Sequence, residues 1–232
     1  MNATDAYFAV RQREGRVLDD DIVRGLPFSG DRTAHPAEWR IRTRGHRRVV
    51  GMLKDGPRAI LDIGCGNGWF SARLAEAGHS VTGLDTGTVE LEQAKRVFAH
   101  LPIRWLSGDP WSTGPEEGAY DVILFAASLQ YFADLPSLLN RCRALLNAHG
   151  EVIISDSLLY RDAGSATAAS ERSRSYYASV GVPGMAAHYH HHTINAIHDA
   201  SAGGDFSFLP PRSRAVAVVR GRYPFPIVRI RW

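Results

Sequence analysis

The spacing of apolar residues changes character near Arg58, and from there to Ser155 short apolar runs alternate with amphipathic stretches. Ala59-Ile60-Leu61-Asp62-Ile63 ends in glycines, as a buried parallel strand does. Trp69 to Ala77 places Phe70, Leu74 and Ala77 on one face and stops at Gly78, the pattern of a helix closed by glycine. Ser80 to Asp85 predicts a second strand. Val89 to Phe98 predicts a helix with Leu91, Ala94 and Phe98 inward and Glu90, Glu92 and Lys95 outward. Ile103 to Leu106 and Tyr120 to Phe125 predict two more strands. Pro136 to Asn147 carries Leu138, Leu139, Cys142, Leu145 and Leu146 on one helical stripe, and Gly150 to Ser155 predicts a fifth strand. Such alternation predicts an α/β, doubly wound, mostly parallel sheet with helices on both faces. Ligands bind such sheets at the carboxyl ends of the strands.

The flanks are less regular. The first ~55 residues are polar and arginine-rich and read as short helices outside the main fold. One of them starts at Pro36-Ala37-Glu38-Trp39, with Trp39, Ile41, Val49, Val50 and Leu53 as its buried side. Arg161 to Gly181, rich in Ala, Ser and Arg, predicts a mobile surface insertion. Ala215 to Val219 and Ile227 to Arg231 are strand-like runs split by Gly221, Pro224 and Pro226. They predict an antiparallel pair at the sheet edge, where proline is tolerated.

With 44% hydrophobic and 22% charged residues, the 232-residue chain has enough apolar content for a core and is neither disordered nor fibrous. Its net charge of +3 is low for a nucleic-acid footprint. The arginines at 40, 42, 44, 47 and 48, and at 212, 214, 220, 222, 229 and 231, therefore read first as solvated faces. Cys65 and Cys142 are too few for a disulfide framework and read as free thiols in a reducing compartment. Met1 to Arg16 has no apolar signal core, and the longest apolar stretch, Val122 to Ala127, falls far short of the ~18 residues of a membrane helix. The expectation is a soluble cytoplasmic protein.

Chemistry concentrates in Asp62-Ile63-Gly64-Cys65-Gly66-Asn67-Gly68-Trp69, where a strand runs through a glycine-rich turn into a helix. Gly64 and Gly66 permit tight geometry and put no side chain between loop and ligand. Asp85, at the end of the next strand, is placed to accept hydrogen bonds from a ribose. A dinucleotide site wants a small residue where Trp69 stands, and Asp62 would repel a pyrophosphate. An acidic residue there suits a ligand carrying an ammonium or sulfonium, which favours S-adenosylmethionine (SAM) over NAD.

The run from Ile60 to Gly68, followed by Val81-Thr82-Gly83-Leu84-Asp85, resembles the signature of class I (Rossmann-like) SAM-dependent methyltransferases of the small-molecule type. The similarity continues through Gly108-Asp109, Asp121 to Leu124 and Leu145 to Ile154, covering roughly residues 58–156. It implies a seven-stranded sheet and SAM as donor, with S-adenosylhomocysteine as product. Gly64, Gly66 and Gly68, with Cys65 and Asn67 between them, would floor the methionine part, with Asp62 near its amino group. Asp85 and Thr86 would meet the ribose. Asp109 would accept from the adenine amino group beside Pro110 and a stacking Trp111, unless Asp109 only caps a turn. Phe125 and Ala126 would line the methionine moiety through their backbone. The resemblance also implies one domain over 1–232: an N-terminal helical lid (1–55, with Tyr7, Phe8 and Trp39 closing the pocket), a SAM-binding core (56–156), and an acceptor-side insertion with C-terminal strands (157–232).

The fourth strand ends in Ala126-Ala127-Ser128-Leu129-Gln130-Tyr131-Phe132 and lacks the (Asn/Asp)-Pro-Pro-(Tyr/Phe) run of nucleobase N-methyltransferases. Nucleic acid is thereby disfavoured as acceptor. Gln130 cannot act as a base, so a hydroxyl acceptor needs one from elsewhere. His188-Tyr189-His190-His191-His192 supplies candidates, since an ordinary histidine takes a proton at neutral pH. Its spacing matches no metal signature, and no metal is expected. His190, His191 and Tyr131 are the candidate catalytic residues. The reading is a methyltransferase acting on a small molecule, at oxygen before nitrogen or carbon. The alternatives are an RNA or protein methyltransferase on the same scaffold and a SAM-binding protein without methyl transfer. No membrane partner is expected, and the sequence leaves the oligomeric state open, a homodimer included.

Overall fold

The computed structural model describes residues 2–112, 114–209 and 225–232. Parallel strands β1 (Ala59–Ile63), β2 (Ser80–Asp85), β3 (Arg104–Ser107), β4 (Tyr120–Ala126) and β5 (Leu146–Ser155) are joined by β6 (Asp205–Leu209) and β7 (Ile227–Arg231). The strand order is β3-β2-β1-β4-β5-β7-β6, with β7 antiparallel to both neighbours. The helices are α1 (Ala3–Arg13), α2 (Asp20–Gly25), α3 (Pro36–Met52), α4 (Trp69–Glu76), α5 (Thr88–Val97), α6 (Leu135–Leu145), α7 (Ala163–Ser179) and α8 (Ile194–Ala200).

Successive strand residues face opposite sides of the sheet, and here both sides are covered. Ile60, Val122, Leu124 and Ile153 pack against Trp39, Val49, Phe70 and Leu74 of α3 and α4. Leu61, Ile63, Ile123, Phe125, Val152 and Ile154 pack against Leu138, Cys142 and Leu145 of α6 and Ile197 of α8. The doubly wound reading therefore holds. The strand order reverses at β1, whose neighbours are β2 and β4, and this opens a crevice at their carboxyl ends. Among the described residues, no helix is long and apolar enough to cross a membrane.

Several expectations need correction. α3 is not a short helix outside the fold: its 17 residues bring Trp39 and Val49 into the core against β1, β4 and β5, where Leu53 just past its end joins them, while Ile41 and Val50 are half-buried. Residues 161–181 are not a mobile insertion but mostly α7. Asp162 caps it by accepting the Ser165 N–H at 2.8 Å, and Ala169 and Tyr177 are buried. Ala77 follows α4 and is exposed. β5 starts at Leu146, before Gly150, because a bulge lets Leu146 pair with Tyr120. Ile227–Arg231 lies between β5 and β6 and pairs with both, and β6 was not announced by the sequence, whereas the run 215–219 lies outside the described residues.

Nor are all the arginines solvated. Glu151 on β5 is buried and accepts hydrogen bonds from Arg229 and Arg231 across the antiparallel pair. These pairs tie β7 to the parallel part of the sheet. Because the arginines are partly exposed, Glu151→Ala should cost about 1–3 kcal/mol, between the values for surface and buried pairs. Urea unfolding checks this, and a loss below about 0.5 kcal/mol would reduce the cluster to surface decoration.

Candidate ligand and catalytic site

The turn after β1 is built by three glycines in the left-handed region, Gly64, Gly66 and Gly68, at φ 75°, 53° and 73°. Packing enforces two of them. A Cβ on Gly64 would lie 2.5 Å from Ser128 Cβ, and one on Gly68 would lie 2.5 Å from the Trp105 ring. The Gly66 N–H donates to Asp85 Oδ2 at 2.7 Å, and the Gly87 N–H to Asp85 Oδ1 at 2.6 Å. Asp85 therefore joins the turn after β1 to the turn after β2. Ser128 Oγ donates to the Ile63 carbonyl at 2.5 Å, fixing the end of β4 against the same turn. Cys65 and Asn67 are buried within the loop, and Thr86 is exposed.

The site is rich in carboxylates. Asp62 is buried, and its Oδ2 accepts from Ser71 Oγ at 2.6 Å while Oδ1 has no partner. Burial pushes its pKa up to about 7, against the Ser71 hydrogen bond and assisted by the Asp85 charge. Burial also raises Asp85, opposed by backbone N–H groups, and Glu90, opposed by Arg11 at 3.8 Å. Glu90, expected to point outward, is largely buried beneath α1 because Arg11 meets it there. Burial lifts the Cys65 thiol well above its ordinary value, so it is inert as a nucleophile.

On the β3 side, Asp109 Oδ1 accepts from the Trp111 N–H at 3.0 Å and from Ser112 Oγ at 2.9 Å, closing a turn. This is the capping arrangement that the sequence left open. Trp111 is 48% exposed and Pro110 is buried. The Phe125 ring is buried in the core against Phe132, so Phe125 meets the crevice through backbone alone. Ala126 ends β4.

Tyrosines gather beyond the end of β4. Tyr131 stands edge-on to Tyr7 of α1, with centroids 5.3 Å apart, and to Tyr189, 5.8 Å away. Tyr177 of α7 is 6.0 Å from Tyr189. The His190 N–H donates to the Gln130 carbonyl at 2.7 Å, and the His190 ring stacks on His192. His191 Nδ1 meets the Tyr160 hydroxyl at 3.1 Å, and its Nε2 has no partner. Burial lowers the pKa of His190, His191 and His192, so all three are neutral at pH 7. Among the described residues, no group of three His, Cys, Asp or Glu side chains could hold a metal ion. Trp39 is not part of a lid but packs edge-on against Trp69 in the core.

Sequence reasoning missed Arg11, Arg42 and Asp156. Arg42, read as solvated, forms a 2.9 Å ion pair with Glu38 and lies over the Trp39 ring. Asp156 directly follows β5, and that strand-end position was the available signal.

Residues 60–150 match a family model described as a methyltransferase domain. An uncharacterized methyltransferase of Mycobacterium tuberculosis is 32% identical over 103 residues, 44% of this chain and 52% of the relative. A ubiquinone biosynthesis O-methyltransferase of Photorhabdus laumondii is 31% identical over 101 residues, 42% of each chain. The match thus spans about half the length of these curated relatives. Among solved structures, geranyl diphosphate C-methyltransferase of Streptomyces coelicolor, in complex with Mg2+, geranyl-S-thiolodiphosphate and S-adenosylhomocysteine, superposes with a TM-score of 0.61. It is 14% identical, covering 83% of this chain and 76% of that one. A SAM-dependent methyltransferase of Mesorhizobium loti gives a TM-score of 0.56 at 19% identity, covering 81% and 98%. At such identities these likenesses establish the fold.

Asp62 takes up its proton more readily folded than unfolded, so its contribution to stability is full near pH 4 and is lost as pH rises through about 7. Asp62→Asn should flatten that decline in thermal melts of the ligand-free protein. An unchanged slope would show that Asp62 titrates normally.

Proposed function

We propose that this chain, whose residues 60–150 form a methyltransferase domain, moves the sulfonium methyl group of SAM to a hydroxyl of a small molecule. The observation that carries the donor assignment is the turn after β1, where glycines leave room against Asp85 and Asp62 holds an unpartnered, buried Oδ1. A cation or a pair of hydroxyls satisfies such carboxylates, whereas a pyrophosphate is repelled. Asp62 would meet the donor's ammonium and Asp85 its ribose, with Gly64, Gly66 and Gly68 beneath, and Asp109 would meet the adenine besides closing its own turn through Oδ1.

SAM brings an activated methyl group, so the protein must orient the acceptor and keep water out. Tyr7, Tyr131 and Tyr189 offer a wall suited to a flat acceptor. α1, packed on Glu90 through Arg11 and on α7 through Ala6 and Val10, forms the lid. Oxygen as the methylated atom is supported by the ubiquinone-biosynthesis relatives, which are named as O-methyltransferases. His190, His191 and Tyr131 border the acceptor side. The net charge of +3 favours a small molecule over nucleic acid, and two buried free thiols accord with a cytoplasmic setting.

Calorimetric titration with SAM, S-adenosylhomocysteine and NAD tests the donor assignment. Both adenosyl ligands should bind at micromolar levels and NAD should not, and Asp85→Ala should lose about ten-fold or more in affinity. Binding of NAD alone would return the site to a dehydrogenase.

A further inference from the structure

The ends of β4 and β5 lie side by side, and each is followed by a non-glycine residue in the left-handed region, Ala127 at φ 59° and Asp156 at φ 52°. The Ala127 N–H donates to the Ser155 carbonyl at 2.9 Å, so the two strained turns are locked together. Left-handed backbone is unfavourable for a non-glycine residue, and it persists where the surroundings impose it. Here the strain aims Asp156 between β5 and α3. A Cβ on Gly45 of α3 would lie 2.8 Å from Asp156 Oδ1, so only glycine lets the carboxylate settle there.

Asp156 is 8% exposed, and its Oδ2 has no hydrogen-bond partner. The neighbouring Ser155 Oγ is likewise buried without one. Buried polar atoms are almost always paired, and an unpaired carboxylate oxygen is costly unless a ligand completes it. The charged groups facing Asp156 are Arg42 and Glu38, both on α3. Arg42 is paired with Glu38 and forms no ion pair with Asp156. Ser157, the next residue, donates to Gln130 Oε1 at 3.3 Å, and Gln130 directly precedes Tyr131, so Asp156 lies beside the segment that carries the tyrosine-lined acceptor space.

We propose that Asp156 is the catalytic base of this site, accepting on its carboxylate the proton of a phenol-like hydroxyl held against Tyr131 and Tyr189. The proposal rests on the hydroxyl-acceptor reading given above. The acceptor O–H proton passes to Asp156 and an oxygen lone pair forms the new O–C bond. The S–C bond to the methyl group breaks, its electron pair stays on sulfur as the neutral thioether, and Asp156 then releases the proton to water. Burial raises Asp156 to about pH 6, with Arg42 opposing, so at pH 7 it stands mainly as the carboxylate and is close enough to neutrality to act as a base.

The test compares wild type with Asp156→Asn, which tolerates left-handed backbone as aspartate does, and with Asp156→Ala. Ring-substituted phenols of graded acidity serve as acceptors. Each variant is first titrated with S-adenosylhomocysteine, whose affinity should be unchanged, which confirms that the donor site is folded. Turnover should then fall about 100-fold or more at pH 7 with KM little altered, and the acid limb near pH 6 should vanish. The defect should shrink as the phenols become more acidic. A readout without turnover uses 4-nitrophenol bound beside S-adenosylhomocysteine, its ionisation followed by colour. The wild-type carboxylate should hold the bound phenol protonated to higher pH than either variant does. Equal turnover and equal bound ionisation would overturn the base, as would loss of donor affinity in both variants, which would make Asp156 structural. If the wild type binds donor but methylates none of the phenols, the hydroxyl reading fails and the base falls with it.

Discussion

The carboxylate of Asp85 takes the N–H groups of Gly66 and Gly87, 2.7 and 2.6 Å away, and so ties the turn after β1 to the turn after β2. The crevice at the sheet's reversal point depends on this junction. The turn after β1 holds three left-handed glycines, whose backbone no regular element supports. Asp85 supports it from one side, and Ser128, bonded to the Ile63 carbonyl, supports it from the other. Charge-assisted bonds of this length are about twice as strong as neutral ones, which suits a junction that must hold its shape before a ligand arrives.

Around that junction the charges are sorted by role. Asp62, Asp85, Glu90 and Asp156 crowd the carboxyl edge, and burial raises the pKa of each. Arg11 and Arg42 hold part of this charge in check from α1 and α3. The N-terminal segment is latched in turn. Tyr176 of α7 donates to Glu14 at 2.5 Å, Glu14 pairs with Arg16, and Arg16 shares Glu38 with Arg42. α1 and α3 therefore carry the cations that balance the carboxylates of this edge, so a displacement of either helix would change its electrostatics.

Most of the core was legible because apolar period and glycine position report local geometry. Ala59–Ile63, the following glycines and Asp85 fell where the strand ends required. The errors have physical causes. Period cannot show what a helix packs against, so α3 read as peripheral although Trp39 and Val49 complete the core. An Ala-Ser-Arg stretch has a weak apolar stripe, and α7 is held instead by the Asp162 cap and by Tyr177 packing near α1. β6 pairs at the sheet edge, where a short run such as Asp205–Leu209 carries little pattern of its own. The candidate site divided in the same way. The glycine loop and its carboxylates were readable in one dimension, whereas the association of Tyr7, Tyr131 and Tyr189 comes from segments far apart in the chain. Asp156 carried a positional signal but no motif, and its strained backbone and unpaired oxygen exist only in the folded chain.

The most direct measurement is a crystal structure of the protein grown with S-adenosylhomocysteine. The homocysteine part should lie over Gly64 to Gly68, with its amino group on Asp62 Oδ1, the ribose hydroxyls on Asp85, the adenine towards Asp109, and the sulfur facing the space between Asp156 and Tyr131. A ligand bound elsewhere, or one in the crevice that leaves Asp85 and Asp62 untouched, would contradict it.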